Sequence, residues 1–362
     1  MQPHIFINGR FLAQAITGVQ RTAWALVCAL DEQVPAAEGP CWILLCPPGV
    51  RAPALRHLQV RQVGLPGLAL HAWEQLVLPL AARSGLLLNL AGGAPWLARR
   101  QACLLHDAAV FDGPDAYAGA FRAWYRALFK HLAAHAAFLF TVSRFSQDRL
   151  ALALGVPPSR LALLPNAADH ILHVPADPGL LARHGLQPGR YLLTVASESP
   201  AKNTAALVSA FGQLHTAEPL RLVWVGRRNA RVFAAVPVPD SDRVLRLDAV
   251  DDAGLRALYE SALLLAVPSL YEGFGLPALE AMHCGCPVLA ARAAALPEVC
   301  GDAAAYFDPA QPGALATGLQ SLVSDPARRD GLRRAGLERA RQFSWAASAA
   351  RLRQVLRGRA AA

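Results

Sequence analysis

Short apolar runs separated by amphipathic stretches set the layout of this chain. Runs at 42–46, 86–90, 102–105 and 137–142 follow an opening HIFIN. They alternate with helical patterns near 19–31, 73–83 and 119–135. The second half repeats the rhythm with YLLTVA, LRLVWVG and the run Leu263 to Val267. Such alternation predicts a mostly parallel sheet with helices on both faces, the doubly wound α/β class. Around 165–190 the pattern breaks into Pro, Gly and Asp, which reads as an interdomain linker with a hinge. Helical patterns then run from 311 to 358, with Arg crowded on one side.

The stretch 263–290, LLLAVPSLYEGFGLPALEAMHCGCPVLA, organises the second half. Its apolar run has the length of a buried parallel strand and stops at Pro268. A loop with Gly273 and Gly275 follows, and Pro277 occupies the place of a first helical residue. Gly285 is placed as a left-handed cap and Pro287 opens the next run. Strand, glycine loop, helix and strand make a βαβ unit whose loop lies at the carboxyl end of the strand, where open α/β sheets bind ligands. Its glycines let backbone approach a ligand, and the helix N-terminus offers N–H groups to an anion. Glu272 and Glu280 belong to this unit. A carboxylate beside an anion site makes sense where it accepts from neutral hydroxyls flanking phosphates. The plainer alternative is a surface Glu and a helix-dipole Glu.

Composition narrows the classes. The chain has 362 residues, 54% hydrophobic and 17% charged, enough for two cores. No apolar run approaches the roughly eighteen residues of a membrane span, and the start is unlike a signal peptide. Seven cysteines without a CxxC pair point to reduced thiols and a cytoplasmic protein, against a disulfide or zinc framework. The net charge of +9 is spread along the chain, so no nucleic-acid footprint emerges. An anionic membrane surface or a diphosphate substrate accounts for it equally well. The helical stretch 121–135 interleaves Arg122, Arg126 and Lys130 with aromatics, and reads either as a membrane-surface helix or as a crossover helix with a basic edge. Only Lys130 and Lys202 are lysines in an Arg-rich chain. Lys202 and Asn203 stand at a loop-to-helix junction, where a point charge can reach a diphosphate.

EGFGLPALE matches the Glu–seven residues–Glu signature of the retaining glycosyltransferases of group 1 (family 4), and SLYEGFGLPALEAMHCGCPVL is similar to that family on both sides of it. The resemblance covers nearly the whole chain, densely over 191–309. It implies the GT-B fold, two Rossmann-like domains facing a cleft. On that basis residues 1–168 form the acceptor-side domain, with the last helix (about 345–362) packing back on it. Residues 169–190 form the linker, and 191–344 hold the nucleotide-sugar.

By the same resemblance Glu272 contacts the donor sugar and Glu280 the ribose, with the backbone of Gly273, Phe274, Gly275 and Leu276 beside them. Lys202, next to Asn203, neutralises the leaving diphosphate. Gly18, with Val19, Gln20 and Arg21, takes the family's glycine-bearing loop near the donor phosphates. His106 is the acceptor-side catalytic residue, and Asp107 orients it or meets the acceptor. Ser143 and Arg144 face the cleft. The loop near Leu247–Val250 and the pair Leu258–Tyr259 are set against the base, although those two side chains have a core-like pattern. The chain departs from the family at Ala201, where many relatives carry an Arg; Arg21, Arg227 or Arg228 are the candidates for a second cation.

The implied activity is retaining transfer of a hexosyl group, with mannosyl from GDP-mannose as the guess. The acceptor would be a glycan or lipid-linked oligosaccharide of cell-surface polysaccharide or lipopolysaccharide synthesis, met at the inner face of the membrane. The nucleotide-sugar is a substrate, and neither a cofactor nor an obligatory metal is expected. A catalytically silent relative that binds nucleotide or glycan as a scaffold is the alternative.

Overall fold

The structure is a computed structural model that describes residues 4–34, 41–51, 53–113, 118–226, 243–248 and 250–358. The chain forms two compact units. The first comprises residues 1–108, 123–166 and 345–362, and the second comprises 109–122 and 167–344.

Seven parallel strands build the sheet of the first unit: β1 His4–Asn8, β2 Trp42–Cys46, β3 Gln59–Gln62, β4 Gly85–Asn89, β5 Gln101–Leu104, β6 Phe138–Thr141 and β7 Leu161–Leu163. Their order is β3-β2-β1-β4-β5-β6-β7, so the order reverses between β1 and β4. Strands covered on both faces are apolar throughout: every residue of WILLC in β2 is buried. Helix Gly18–Gln33 begins after Thr17, whose hydroxyl donates to Gln20 Oε1 instead of capping the backbone. Helix Trp345–Gly358 lies against it, with Gln33 Nε2 donating to Ala346 O at 2.7 Å and Ser348 Oγ to Pro165 O at 2.6 Å. The expected helix near 73–83 runs from Leu70 to Ala81 and contains a π-helical turn over Trp73–Val77, just before Pro79.

The second unit holds β8 Tyr191–Val195, β9 Arg221–Val225, β10 Val244–Leu247, β11 Leu264–Val267, β12 Val288–Ala291 and β13 Ala305–Phe307. All are parallel, in the order β10-β9-β8-β11-β12-β13, which reverses between β8 and β11. Each unit is a doubly wound Rossmann-like layer. Asp251 caps helix Asp252–Ser261, accepting from Gly254 N at 2.8 Å. Gly285, at φ 68°, ends helix Leu276–His283 in the left-handed region. That helix starts at Leu276, so Pro277 is its second residue, where a missing N–H is still harmless.

The expected linker has structure of its own. It carries a 3₁₀ turn Asp169–His173 and helix Leu180–Arg183, both in the second unit. Asp177 N donates to Ala253 O at 2.9 Å, and Arg256 Nη1 to Val174 O at 2.8 Å. Turn-forming residues here are tied to helix Asp252–Ser261, far along the chain, through the Ala253 carbonyl and the Arg256 guanidinium. Residues 109–122 also group with the second unit, where Tyr271 O–H donates to Asp112 Oδ2 at 2.9 Å.

Candidate active site

In open α/β sheets ligands gather at the carboxyl edge where strand order reverses. In the second unit that place lies between β8 and β11. The loop after β8 turns through a 3₁₀ segment, Pro200–Lys202, and the loop after β11 carries Glu272. Leu270 N donates to Ala201 O at 2.8 Å, which ties the two loops together one residue before Lys202 and two before Glu272. Lys202 Nζ then donates to Glu272 Oε1 at 2.7 Å. The Lys202 side chain keeps 26% of its surface exposed and the Glu272 side chain 10%. The pair is therefore accessible from one side and backed by protein on the other.

Two residues in left-handed backbone shape the edge. Asn203, at φ 53°, is the cap residue before helix Thr204–Gly212. Asn is among the few side chains that adopt this conformation readily. Gly275, at φ 96°, precedes helix Leu276–His283. The angle requires glycine, and a Cβ at Gly275, 2.7 Å from Leu296 Cδ2, would also make that side chain shift. The loop that carries Glu272 leads into helix Leu276–His283, whose first turn brings the Leu276 N–H to an anion; Pro277 has no N–H, and Ala278 N and Leu279 N donate to Gly275 O at 3.1 and 3.4 Å. Phe274 and Leu276 are buried, Phe274 edge-on to Phe343 with centroids 5.7 Å apart. Their side chains serve the core, which leaves backbone as what they present at this edge.

Glu280 sits one turn into the helix, almost wholly buried. Tyr259 O–H donates to its Oε2 at 2.9 Å and His170 Nε2–H to its Oε1 at 3.1 Å. Burial, and next the Glu280 charge, push the Tyr259 phenol well above its ordinary range, so it stays a donor. Leu258 and Tyr259 are fully buried, as their pattern suggested. What the sequence did not announce is that the Tyr259 hydroxyl orients Glu280, or that His170, in the expected linker, shares the task. His283, on the same helix, is held below the usual imidazole range chiefly by burial.

In the first unit His106 stands just past β5. Its Nε2 lies 2.9 Å from the Leu90 carbonyl, which can only accept, so the proton is on Nε2 and Nδ1 carries the lone pair. Burial lowers its pKa to about 4, and the ring is neutral at physiological pH. Gly18 is the first residue of helix Gly18–Gln33, and a Cβ there would meet nothing. The backbone does not require glycine at this position. Ser143 is committed as a helix cap, accepting from Ser146 N at 3.0 Å. Arg144 is exposed. Of the candidate second cations, Arg21 lies in the first unit's helix, while Arg227 and Arg228 fall outside the described residues, as does Ala249 in the expected base loop. Among the described residues, no group of three or more His, Cys, Asp or Glu side chains is placed to hold a metal ion.

Sequence reasoning also missed a buried carboxylate in the first unit. Glu74 receives Asn8 Nδ2 at 2.9 Å and pairs with Arg10 Nη1 at the carboxyl end of β1. The signal available was Asn8 and Asn89 ending the two strands that flank the reversal in strand order.

A family model described as glycosyl transferases group 1 matches residues 189–325, the stretch that carries Lys202, Glu272 and Glu280. The O-antigen chain mannosyltransferase B of Escherichia coli is 31% identical over 261 residues, covering 69% of this chain and 68% of that one. The MMP alpha-(1->4)-mannosyltransferase of Mycolicibacterium hassiacum is 32% identical over 240 residues, 63% of this chain and 56% of its own length. Among solved structures, Anabaena HepE in complex with UDP and glucose superposes with a TM-score of 0.71 at 18% identity, covering 99% of this chain and 100% of that one. The architecture of two parallel-sheet Rossmann-like units is that of GT-B proteins. With one relative matched over two thirds of both chains, and the family model seated on the residues that meet between β8 and β11, the chain belongs to the group 1 glycosyl transferases.

Proposed function

We propose that this glycosyltransferase moves a hexosyl group, with retention of configuration, from a nucleoside-diphosphate sugar to a glycan or lipid-linked oligosaccharide. Mannose is the sugar we favour and GDP-mannose the donor. Support for mannose comes from the two mannosyltransferases to which the chain is similar, and support for cell-surface polysaccharide from the O-antigen enzyme among them. The observation that carries the reading is the meeting of Lys202 and Glu272 at the reversal of strand order in the second unit.

A diphosphate arriving there would compete with Glu272 for the Lys202 ammonium. It would also meet the Leu276 N–H at the start of helix Leu276–His283. Charge that grows on the leaving phosphate would meet donors already in place, the electrostatic contribution that usually dominates such reactions. Glu272, released from Lys202, would accept from sugar hydroxyls. Glu280, held by Tyr259 and His170, would accept from the ribose. The leaving phosphate would take the acceptor's proton on the same face of the sugar, so this reading requires neither an enzymic nucleophile nor a metal. The neutral His106 would accept a hydrogen bond from a sugar hydroxyl through Nδ1, the proton staying on that oxygen.

Contact with the inner face of the membrane belongs to the same proposal. Among the described residues no helix is long and apolar enough to cross a membrane. The first unit nevertheless exposes Leu76 and Leu80 one turn apart, together with Leu65, Leu97 and part of Trp124. Lys130 is exposed on the Trp124 helix. Exposed apolar side chains and basic charge on one unit suit an anionic lipid surface.

Incubating the protein with GDP-mannose, GDP-fucose, UDP-glucose and UDP-galactose and synthetic lipid-linked glycan acceptors tests the reading. The expected product carries an α-linked mannosyl group from GDP-mannose, seen by NMR. Nucleotide binding without turnover of any donor would instead favour the scaffold alternative, to which Ala201 lends its one point of support.

A further inference from the structure

The first unit has its own reversal of strand order, between β1 and β4, and a polar network fills it. Asn8 ends β1 and Asn89 ends β4. Asn8 Nδ2 donates to Asn89 Oδ1 at 3.0 Å and to Glu74 Oε1 at 2.9 Å. Asn89 Nδ2 donates to Gln101 Oε1 at 3.1 Å, and Gln101 Nε2 to Pro95 O at 3.1 Å. Arg10 closes the chain by donating Nη1 to Glu74 Oε2.

Each step is a donor answered by an acceptor until Arg10, whose Nε is buried without a partner among the described residues. An orphaned guanidinium N–H in a network otherwise satisfied is uncommon and calls for a reason. The Arg10 side chain retains 18% of its surface, while Glu74 behind it retains 3%. Glycine lines the approach: a Cβ on Gly93 would lie 3.0 Å from Glu74 Oε1 and 3.3 Å from Arg10 Nη1. The neighbouring Gly92 lies against His106, with 3.9 Å from its Cβ position to the ring. Glu74 itself is carried in a π-helical turn, a feature frequent at functional sites.

We infer that Arg10, with Glu74 behind it, is the acceptor-binding group of the first unit and takes the hydroxyls of a neutral sugar rather than a phosphate. The inference rests on the proposed transferase activity for the word acceptor, and on the first unit's own geometry for the site. Charge decides the ligand class. An Arg fork compensated by a buried carboxylate is close to neutral as a pair, so it offers directional donors without the net positive field that holds a phosphate. Lys202 is also paired with a carboxylate, but its partner Glu272 lies in the loop that leads into helix Leu276–His283, and a helix start favours an anion.

The test uses saturation-transfer NMR on the full chain with methyl α-D-mannopyranoside and inorganic phosphate as probes. Parent, Arg10→Ala and Arg10→Lys are compared, with circular dichroism melting to establish folding. Thermal stabilisation by GDP is recorded on the same samples. The glycoside is expected to bind the parent and to bind Arg10→Ala roughly tenfold more weakly or worse, as when a charge-assisted donor is removed. Arg10→Lys keeps the charge on Glu74 but lacks the fork, so it is expected to fold like the parent and still bind weakly. Phosphate is expected not to displace the glycoside.

Unchanged glycoside binding in both variants would overturn the inference, as would displacement by phosphate at lower concentration than the glycoside. A parent that responds to GDP yet binds no glycoside would overturn it as well and leave the donor site standing. Arg10-dependent glycoside binding without any GDP response would do the reverse.

Discussion

Lys202 and Glu272, seventy residues apart in sequence, meet at 2.7 Å where the strand order of the second unit reverses. A cation that could hold a phosphate and a carboxylate that could hold a sugar hydroxyl hold each other here. Neither side chain is then left as an uncompensated charge. A nucleotide-sugar supplies a partner to each, so the pair is expected to separate when the donor binds.

This arrangement separates stability from catalysis. Lys202→Ala leaves the Glu272 carboxylate, with a tenth of its side-chain surface exposed, without its cation. A loss of about 1–3 kcal/mol is expected by urea denaturation. The double substitution Lys202→Met with Glu272→Gln removes both charges and should be less destabilised than the single one. Transfer should fall by roughly 10²–10³ in both, as when a preorganised electrostatic donor is lost.

Glu280 is positioned by two donors on different segments. Tyr259→Phe removes the hydroxyl at 2.9 Å while keeping the ring in the core. Stability should fall by about 1–3 kcal/mol, the cost of a buried acceptor losing a partner. The KM for the donor should rise while kcat changes less, because Glu280 is assigned to the ribose and not to the reacting bond. His170→Gln, which can still donate, should be milder on both measurements.

His106 gives the first unit a defined acid sensitivity. Burial lowers its pKa to about 4 from 6.5. Below pH 6.5 the unfolded chain takes up a proton that the folded chain refuses until about pH 4. The stabilisation is therefore complete above pH 6.5 and is lost as the pH falls toward 4, by up to about 3 kcal/mol. His106→Gln should flatten the pH 4–7 stability profile by that contribution, read from denaturation midpoints.

Gly275 is set by backbone geometry. With φ at 96° and Leu296 2.7 Å from the Cβ position, Gly275→Ala should lower stability by about 1–3 kcal/mol. It should also weaken diphosphate binding by tilting the helix start. A thermal melt with and without GDP measures both effects.

The fold was legible where strands are buried on both faces. β2, β11 and β12 are apolar at nearly every position and stand out as runs. β3, reading QVRQ at the sheet edge and mostly exposed, and β7, only three residues long, left no such trace. Lys202, Glu272 and Glu280 were legible because loop glycines and helix starts mark them locally. Their partners were not. Tyr259 reads as a core residue because its ring is one, and only the folded chain brings its hydroxyl to Glu280. His170 was hidden in a Pro- and Asp-rich stretch that looks like a flexible linker. The Arg10–Glu74 pair joins positions sixty-four apart, beyond what any local pattern carries.

The most direct measurement is thermal stabilisation by GDP, UDP, ADP and dTDP on the parent and on Lys202→Ala, each compared with its own ligand-free melt. A diphosphate at about a hundred times its dissociation constant should add roughly 2.7 kcal/mol. The expected result is a clear shift with one nucleotide, GDP, that shrinks in Lys202→Ala. No shift with any diphosphate, or an equal shift in the variant, would contradict the assignment of the donor site to the meeting of Lys202 and Glu272.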